Sequence, residues 1–104
     1  MGSSTEKLVR DRIPEILAGR GLVQEFRVAD PSEMLGLLRA KLAEEAAEFL
    51  AATDARARID ELADLLEVIR ALGRLCGSDP DALEAARARK AAERGAFEAG
   101  IVLG

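Results

Sequence analysis

Histidine is absent from the 104 residues, and so are tryptophan and tyrosine. Without an imidazole there is no Ser-His-Asp or Cys-His catalysis, no zinc hydrolase with imidazole ligands and no imidazole general base. A Walker-type GxxxxGK[ST] loop is missing as well. Any chemistry must therefore rest on carboxylates, Lys, Arg and a hard metal. Aromatic residues are scarce: with only Phe26, Phe49 and Phe97, a core has to be built from Leu, Ile, Val and Ala, and stacking on a ligand cannot be assigned. The one cysteine, Cys76, forms no internal disulfide, which fits a reducing cytoplasm, and it reads as a small buried residue near a helix end. No apolar run approaches the ~20 residues that cross a bilayer, so a membrane is not an expected partner. Met1-Gly2-Ser3-Ser4 lacks the apolar segment of a signal peptide and reads as a loose start. A net charge of −4 gives no basic surface to displace counterions, which argues against a nucleic acid polymer as partner.

Hydrophobic residues make up 49% and charged residues 33% of the chain, an ordinary globular balance dominated by the helix formers Ala, Leu, Glu and Arg. The length suits a single domain, 1–104, with a modest core that burial by another subunit would help. Pro14 opens a short helix that Gly19 and Gly21 close. Asp30-Pro31 with Glu33 reads as a capping box and starts a second helix reaching about Ala52. On it Leu35, Leu38, Leu42, Ala46 and Phe49 recur at helical spacing. Thr53-Asp54 reads as a turn. A third helix follows to about Leu75 with Ile59, Leu62, Leu66, Ile69 and Leu72 on its apolar side, and Gly77 ends it. Asp79-Pro80 starts a fourth, stopped by Gly95. Residues 22–28 read as a short extended segment and 100–103 as a short terminal strand or hook that could pair with it. The expected fold is all-α: an antiparallel helical bundle of three longer helices plus a short N-terminal helix, completed by oligomerisation, with short strands at 22–28 and 100–103.

Two acidic patterns stand out. Glu44, Glu45 and Glu48 share one flank of the second helix, and Glu61 and Asp64 stand at i and i+3 on the third. If these helices pack antiparallel across their short turn, both flanks face one crevice. Carboxylates converging there would repel one another unless a cation sat between them. Mg²⁺ suits an all-oxygen set and keeps waters that substrate phosphates can replace, and Mn²⁺ would be accepted by the same ligands. The bland alternative is a solvated face, since a helix-rich chain with 19 acidic residues produces such spacings by chance. The placement of two clusters on adjacent helices, and Lys41 one turn before Glu45, favours the metal.

Basic residues form a second constellation. Lys7, Arg10 and Arg12 precede the first helix, and Arg87, Lys90 and Arg94 fall on one face of the fourth. Such groups can bind triphosphate oxygens through charge-assisted hydrogen bonds, or they can simply be a solvated polar face.

The run Lys7-Leu-Val-Arg-Asp-Arg-Ile-Pro-Glu15, then Lys41-Leu-Ala-Glu-Glu-Ala-Ala-Glu48, Glu61-Leu-Ala-Asp64-Leu-Leu-Glu67 and Lys90…Glu93-Arg-Gly-Ala-Phe97 resembles the all-α nucleoside triphosphate pyrophosphohydrolases. It is most similar to their MazG-like, phosphoribosyl-ATP-pyrophosphohydrolase-like branch, whose members clean up non-standard nucleotides. The superfamily pattern EExxE, spacer, ExxD is complete here. The resemblance spans Lys7 to Leu103, with Ala96 where many relatives carry a second Gly. It implies Glu45, Glu48, Glu61 and Asp64 as metal ligands, with Glu44 supporting a second ion or the attacking water. It makes Lys7, Arg10, Lys90 and Arg94 candidate phosphate contacts, beside Lys41.

The expected reaction is Mg²⁺-dependent hydrolysis of a nucleoside triphosphate to nucleoside monophosphate and pyrophosphate by attack at the α-phosphorus. Glu44 is the candidate base for the attacking water. Two readings compete with it: a catalytically silent helical dimerisation module, and an enzyme acting on phosphoribosyl-ATP. The complete carboxylate pattern favours an enzyme, and the KLVRDRIPE opening favours the housekeeping branch. Three longer helices cannot cover Leu35, Leu38, Leu62, Leu65, Leu66, Ile69 and Leu72 within one small subunit, so a homodimer or higher homo-oligomer is expected.

Overall fold

A computed structural model of the chain describes residues 6–104, so the reading of Met1–Ser4 as a loose start lies outside the described residues. The order is α1 (Ile13–Gly19), a single 3₁₀ turn (Pro31–Glu33) that runs straight into α2 (Met34–Ala51), then α3 (Ala55–Leu75) and α4 (Pro80–Arg94). The fold is all-α as expected. Helix starts follow local chemistry. Glu33 reaches back to the Asp30 N–H at 2.8 Å, which satisfies one of the donors that open a helix. Asp54 and Asp79 each accept from the backbone N–H three residues on, at 2.8 and 2.7 Å, and so cap α3 and α4. Asp54 is thus the first cap of α3 rather than only a turn residue. At the other end of α4, Gly95 takes φ 84°, a value that L side chains rarely adopt.

With only Ala52, Thr53 and Asp54 between them, α2 and α3 must fold back on one another. They form an antiparallel hairpin that makes up most of the molecule's tertiary packing. Its interior is thin: Leu38 on α2 and Val68 on α3 are the buried apolar residues among those described. The helix α4 leans on the far end of α3, where a Cβ on Gly73 would stand 3.3 Å from Leu83 Cδ2.

Residues 22–28 and 100–103, expected as strands, form none. A strand needs a partner for its backbone N–H and C=O groups, and these segments do not pair. Val23 and Val28 are each 96% exposed, and Ile101, Val102 and Leu103 are almost wholly so. The 22–30 segment is held instead by Arg27, whose guanidinium bonds Glu6 and Glu33 at 2.8 to 3.1 Å. This exposed trio contributes little to stability, but it ties residue 6 to the start of α2 and so fixes where Lys7 lies. Cys76 is exposed at the end of α3 rather than buried.

The apolar side expected for α3 also departs from the expectation. Ile59, Leu62, Leu66 and Ile69 are exposed, as is Leu35 on α2. The face of α3 turned to α2 is the one that carries Asp64, Val68 and Ala71. The radius of gyration is 17.2 Å, where a compact chain of this length has about 13 Å. The accessible surface is 8730 Å², against about 5,700 Å² for a folded monomer of this mass.

Candidate metal centre

In the antiparallel hairpin, residues at similar distances from the turn lie opposite one another. Glu48 and Glu45 on α2 therefore meet Glu61 and Asp64 on α3. Carboxylate oxygens of Glu45, Glu61 and Asp64 lie within 4.8 Å of one another, and so do those of Glu44, Glu45 and Glu48. Glu45 belongs to both groups and is the most enclosed, at 6% exposure. Five of the residues expected at the site are thus brought together.

Basic residues, two from the segment before α1 and one from α2, flank this cluster. Arg10 donates to Asp64 Oδ1 at 2.6 Å. Lys7 donates to one oxygen of Glu44 and Lys41 to the other, both at 3.3 Å, and Lys41 also lies 3.7 Å from Glu45. The segment before α1 therefore lies across the carboxylates. Lys90 and Arg94 are different. They sit exposed on α4 and make no hydrogen bond or ion pair with the described residues. Their neighbour Arg87 is paired with Glu84 on its own helix.

The electrostatics separate the carboxylates. Burial pushes the Glu45 carboxyl above its usual range, and the adjoining Glu48 and Asp64 carboxylates push the same way, against the pull of Lys41. Glu61 is raised from 4.5 to about 7, chiefly by the Glu48 carboxylate beside it, then by burial and by the charges of Glu45 and Asp64. Glu44 behaves oppositely. Burial would raise it, but the hydrogen bonds from Lys41 and Lys7 outweigh that and hold it below the usual range.

Whether a cation fits here is decided by two atoms. Oε2 of Glu45 and Oε2 of Glu61 are shielded from solvent and accept no hydrogen bond. A buried acceptor with no donor is rare. Two of them in one all-oxygen set fit a hard divalent cation, with Glu45, Glu61 and Asp64 around it and Glu48 alongside.

Beside the cluster opens a cleft of about 540 Å³. Glu45 and Asp64 line one part of it, Leu38 and Val68 its floor, and residues 8–13 its outer wall. Glu67 and Arg74 line it too, 3.9 Å apart. Neither was expected from the sequence, although their positions three and ten residues after Asp64 place them on the same helical face.

A helical hairpin that joins EExxE to ExxD, ringed by Lys and Arg, defines the class of all-α pyrophosphohydrolases of the MazG-like superfamily. More particularly, the chain belongs to the phosphoribosyl-ATP pyrophosphohydrolase family, whose sequence model matches residues 23–91. Comparison with curated proteins gave no match, and neither did comparison with solved structures. The matched region contains every carboxylate of the cluster, together with Lys41 and Lys90. Lys7, Arg10 and Arg94 lie outside it.

Proposed function

We propose that this protein hydrolyses nucleoside triphosphates, non-standard ones in particular, to nucleoside monophosphate and pyrophosphate with Mg²⁺, as a nucleotide-pool housekeeping enzyme of the cytoplasm. The observation that carries this is the pair of shielded, donorless oxygens on Glu45 and Glu61, set among carboxylates and flanked by Lys7, Arg10 and Lys41. Glu45, Glu48, Glu61 and Asp64 would hold the ion. When bound, it supplies neutralising charge to the phosphates and acidity to water.

The remaining work falls to the chain's own groups. Lys7 and Arg10 stand on a segment without helical structure and pair with Glu44 and Asp64 across the cluster. A triphosphate entering beside them offers oxygens that accept the same hydrogen bonds, so they orient it and offset its charge. Lys41 is held on α2 and steadies Glu44. Lys41 and Lys7 donate to the two oxygens of the Glu44 carboxylate and hold its pKa below the usual range. In this reading Glu44 orients a water and takes its proton as the α-phosphorus is attacked, which releases pyrophosphate.

A second copy is part of this reading. The exposed apolar stripe of Ile59, Leu62, Leu66 and Ile69 on α3 is the kind of patch that a homodimer covers. Lys90 and Arg94, remote from the carboxylates of their own chain, would then contact phosphates only across that interface.

The family name favours a second substrate, phosphoribosyl-ATP. It requires the same bond cleavage at the same carboxylates, so the site's geometry does not separate the two. The discriminating assay offers standard, oxidised, deaminated and deoxy triphosphates beside phosphoribosyl-ATP and follows pyrophosphate release with Mg²⁺, Mn²⁺ and EDTA. Release that persists undiminished in EDTA would refute the metal, and orthophosphate with a diphosphate would refute the bond assignment.

A further inference from the structure

We propose that the cleft beside the carboxylates is the nucleobase subsite, and that Glu67 and Arg74 read the hydrogen-bonding edge of the base. The inference rests on the pyrophosphohydrolase reading and adds what holds the other end of the substrate.

Three observations carry it. The first is continuity: Asp64 and Glu45 line the same 540 Å³ cleft as Glu67 and Arg74, so a ligand with phosphates at the cluster extends into it without leaving the protein surface. Its volume lies in the range that small-ligand sites occupy.

The second is a ruler built into α3. Asp64, Val68, Ala71 and Arg74 follow one another on a single face, and ten residues of helix advance about 15 Å. That span is enough for the α-phosphate, ribose and base of a nucleotide laid along the helix. The third is the order of chemistry on that ruler. Carboxylates and cations stand at one end. Then comes an apolar stretch, where Val68 and Leu38 form a floor and Ile13 faces them from α1. Along one side run Glu67, three residues beyond Asp64, and Arg74 at the far end, their side chains 3.9 Å apart. A base is a flat apolar body with adjacent donors and acceptors on its edge. Glu67 can only accept and Arg74 can only donate, so together they match an edge that offers one of each. Both side chains are about half exposed and joined by one long contact, so a ligand can part them at little cost.

The test compares ligands that share the phosphates and differ in the base. Inorganic tripolyphosphate serves as the reference, and the α,β-methylene analogues of ATP, GTP, CTP and UTP as uncleavable triphosphates. Each is titrated calorimetrically with Mg²⁺ into the wild type, Glu67→Gln and Arg74→Gln. The wild type should bind at least one analogue more tightly than tripolyphosphate. In both variants the ratio of that analogue's affinity to tripolyphosphate's should fall about tenfold, the effect of one hydrogen bond to a charged group, and the preference among bases should narrow. A wild type that binds tripolyphosphate as tightly as every analogue overturns the base subsite and leaves the pyrophosphohydrolase reading standing. Unchanged ratios in both variants overturn the roles of Glu67 and Arg74. A wild type that binds none of these ligands overturns both readings.

Discussion

Glu45 is the carboxylate on which the metal reading can be tested most sharply, because it belongs to both acidic groups and is 6% exposed. Glu45→Gln keeps the shape and removes the charge. In the metal-free protein that charge faces oxygens of Glu48 and Asp64 within 4.8 Å. Repulsion between two unit charges at that separation is about 1 kcal/mol in water and about 3.5 kcal/mol at an effective dielectric constant of 20. The attraction to Lys41 at 3.7 Å cancels much of it. The net change at pH 8 should favour the variant by about 1 kcal/mol, which raises Tm by roughly 4–8 °C in a domain of this size. Magnesium reverses the order. At one hundred times its Kd a ligand that binds only the folded state adds about 2.7 kcal/mol, or roughly 10–20 °C on the same scale, and the variant should lose most of that gain together with pyrophosphate release. Melting curves of both proteins in EDTA and in Mg²⁺ should therefore cross: the variant melts higher without metal, the wild type higher with it. A wild type indifferent to Mg²⁺, or a variant that gains as much, would refute the cation site.

The pH dependence of the metal-free protein is a second prediction. The Glu61 carboxyl is raised from 4.5 to about 7, so its contribution to stability is complete below pH 4.5 and lost as pH rises through about 7. Melts in EDTA should therefore show this loss between those values, and saturating Mg²⁺ should remove it. Glu33, lowered to about 2 by Arg27 and the Asp30 N–H, works the other way: its small contribution is present above 4.5 and lost as pH falls towards 2. For Arg10→Gln, calorimetry should give opposite signs. Mg²⁺ binds several-fold more tightly, because the Asp64 partner at 2.6 Å no longer opposes it, while triphosphate binds more weakly; a change of the same sign in both would mean that Arg10 does not exchange between the two. Sedimentation at tens of micromolar should give a homodimer, and a lone monomer would leave the exposed leucines of α3 unexplained. Lys90→Ala with Arg94→Ala should raise KM without altering that assembly, and unchanged kinetics would return both residues to a solvated face.

Local order was legible in the amino-acid sequence because local chemistry sets it. Asp30 with Glu33, Asp79 before Pro80 and Gly95 satisfy or end backbone hydrogen bonding within a few residues, and the helices begin and stop at or next to them. EExxE and ExxD were equally readable, since spacing along a helix fixes which side chains share a flank and a three-residue turn fixes which flanks meet. Tertiary structure decided whatever depends on residues far apart in the chain. It laid Lys7 and Arg10 over the carboxylates and left Lys90 and Arg94 apart from them, a distinction that composition could not make. It turned Asp64, Val68 and Ala71 towards α2 and left Ile59, Leu62, Leu66 and Ile69 exposed, because a helix with apolar residues on more than one side does not specify which side its first neighbour covers. It left 22–28 and 100–103 unpaired, because β-propensity makes no strand without a partner ladder. Glu67 and Arg74 were plain in the sequence as charges on a helix; only the packing of residues 8–13 against α2 and α3 made them part of a cleft.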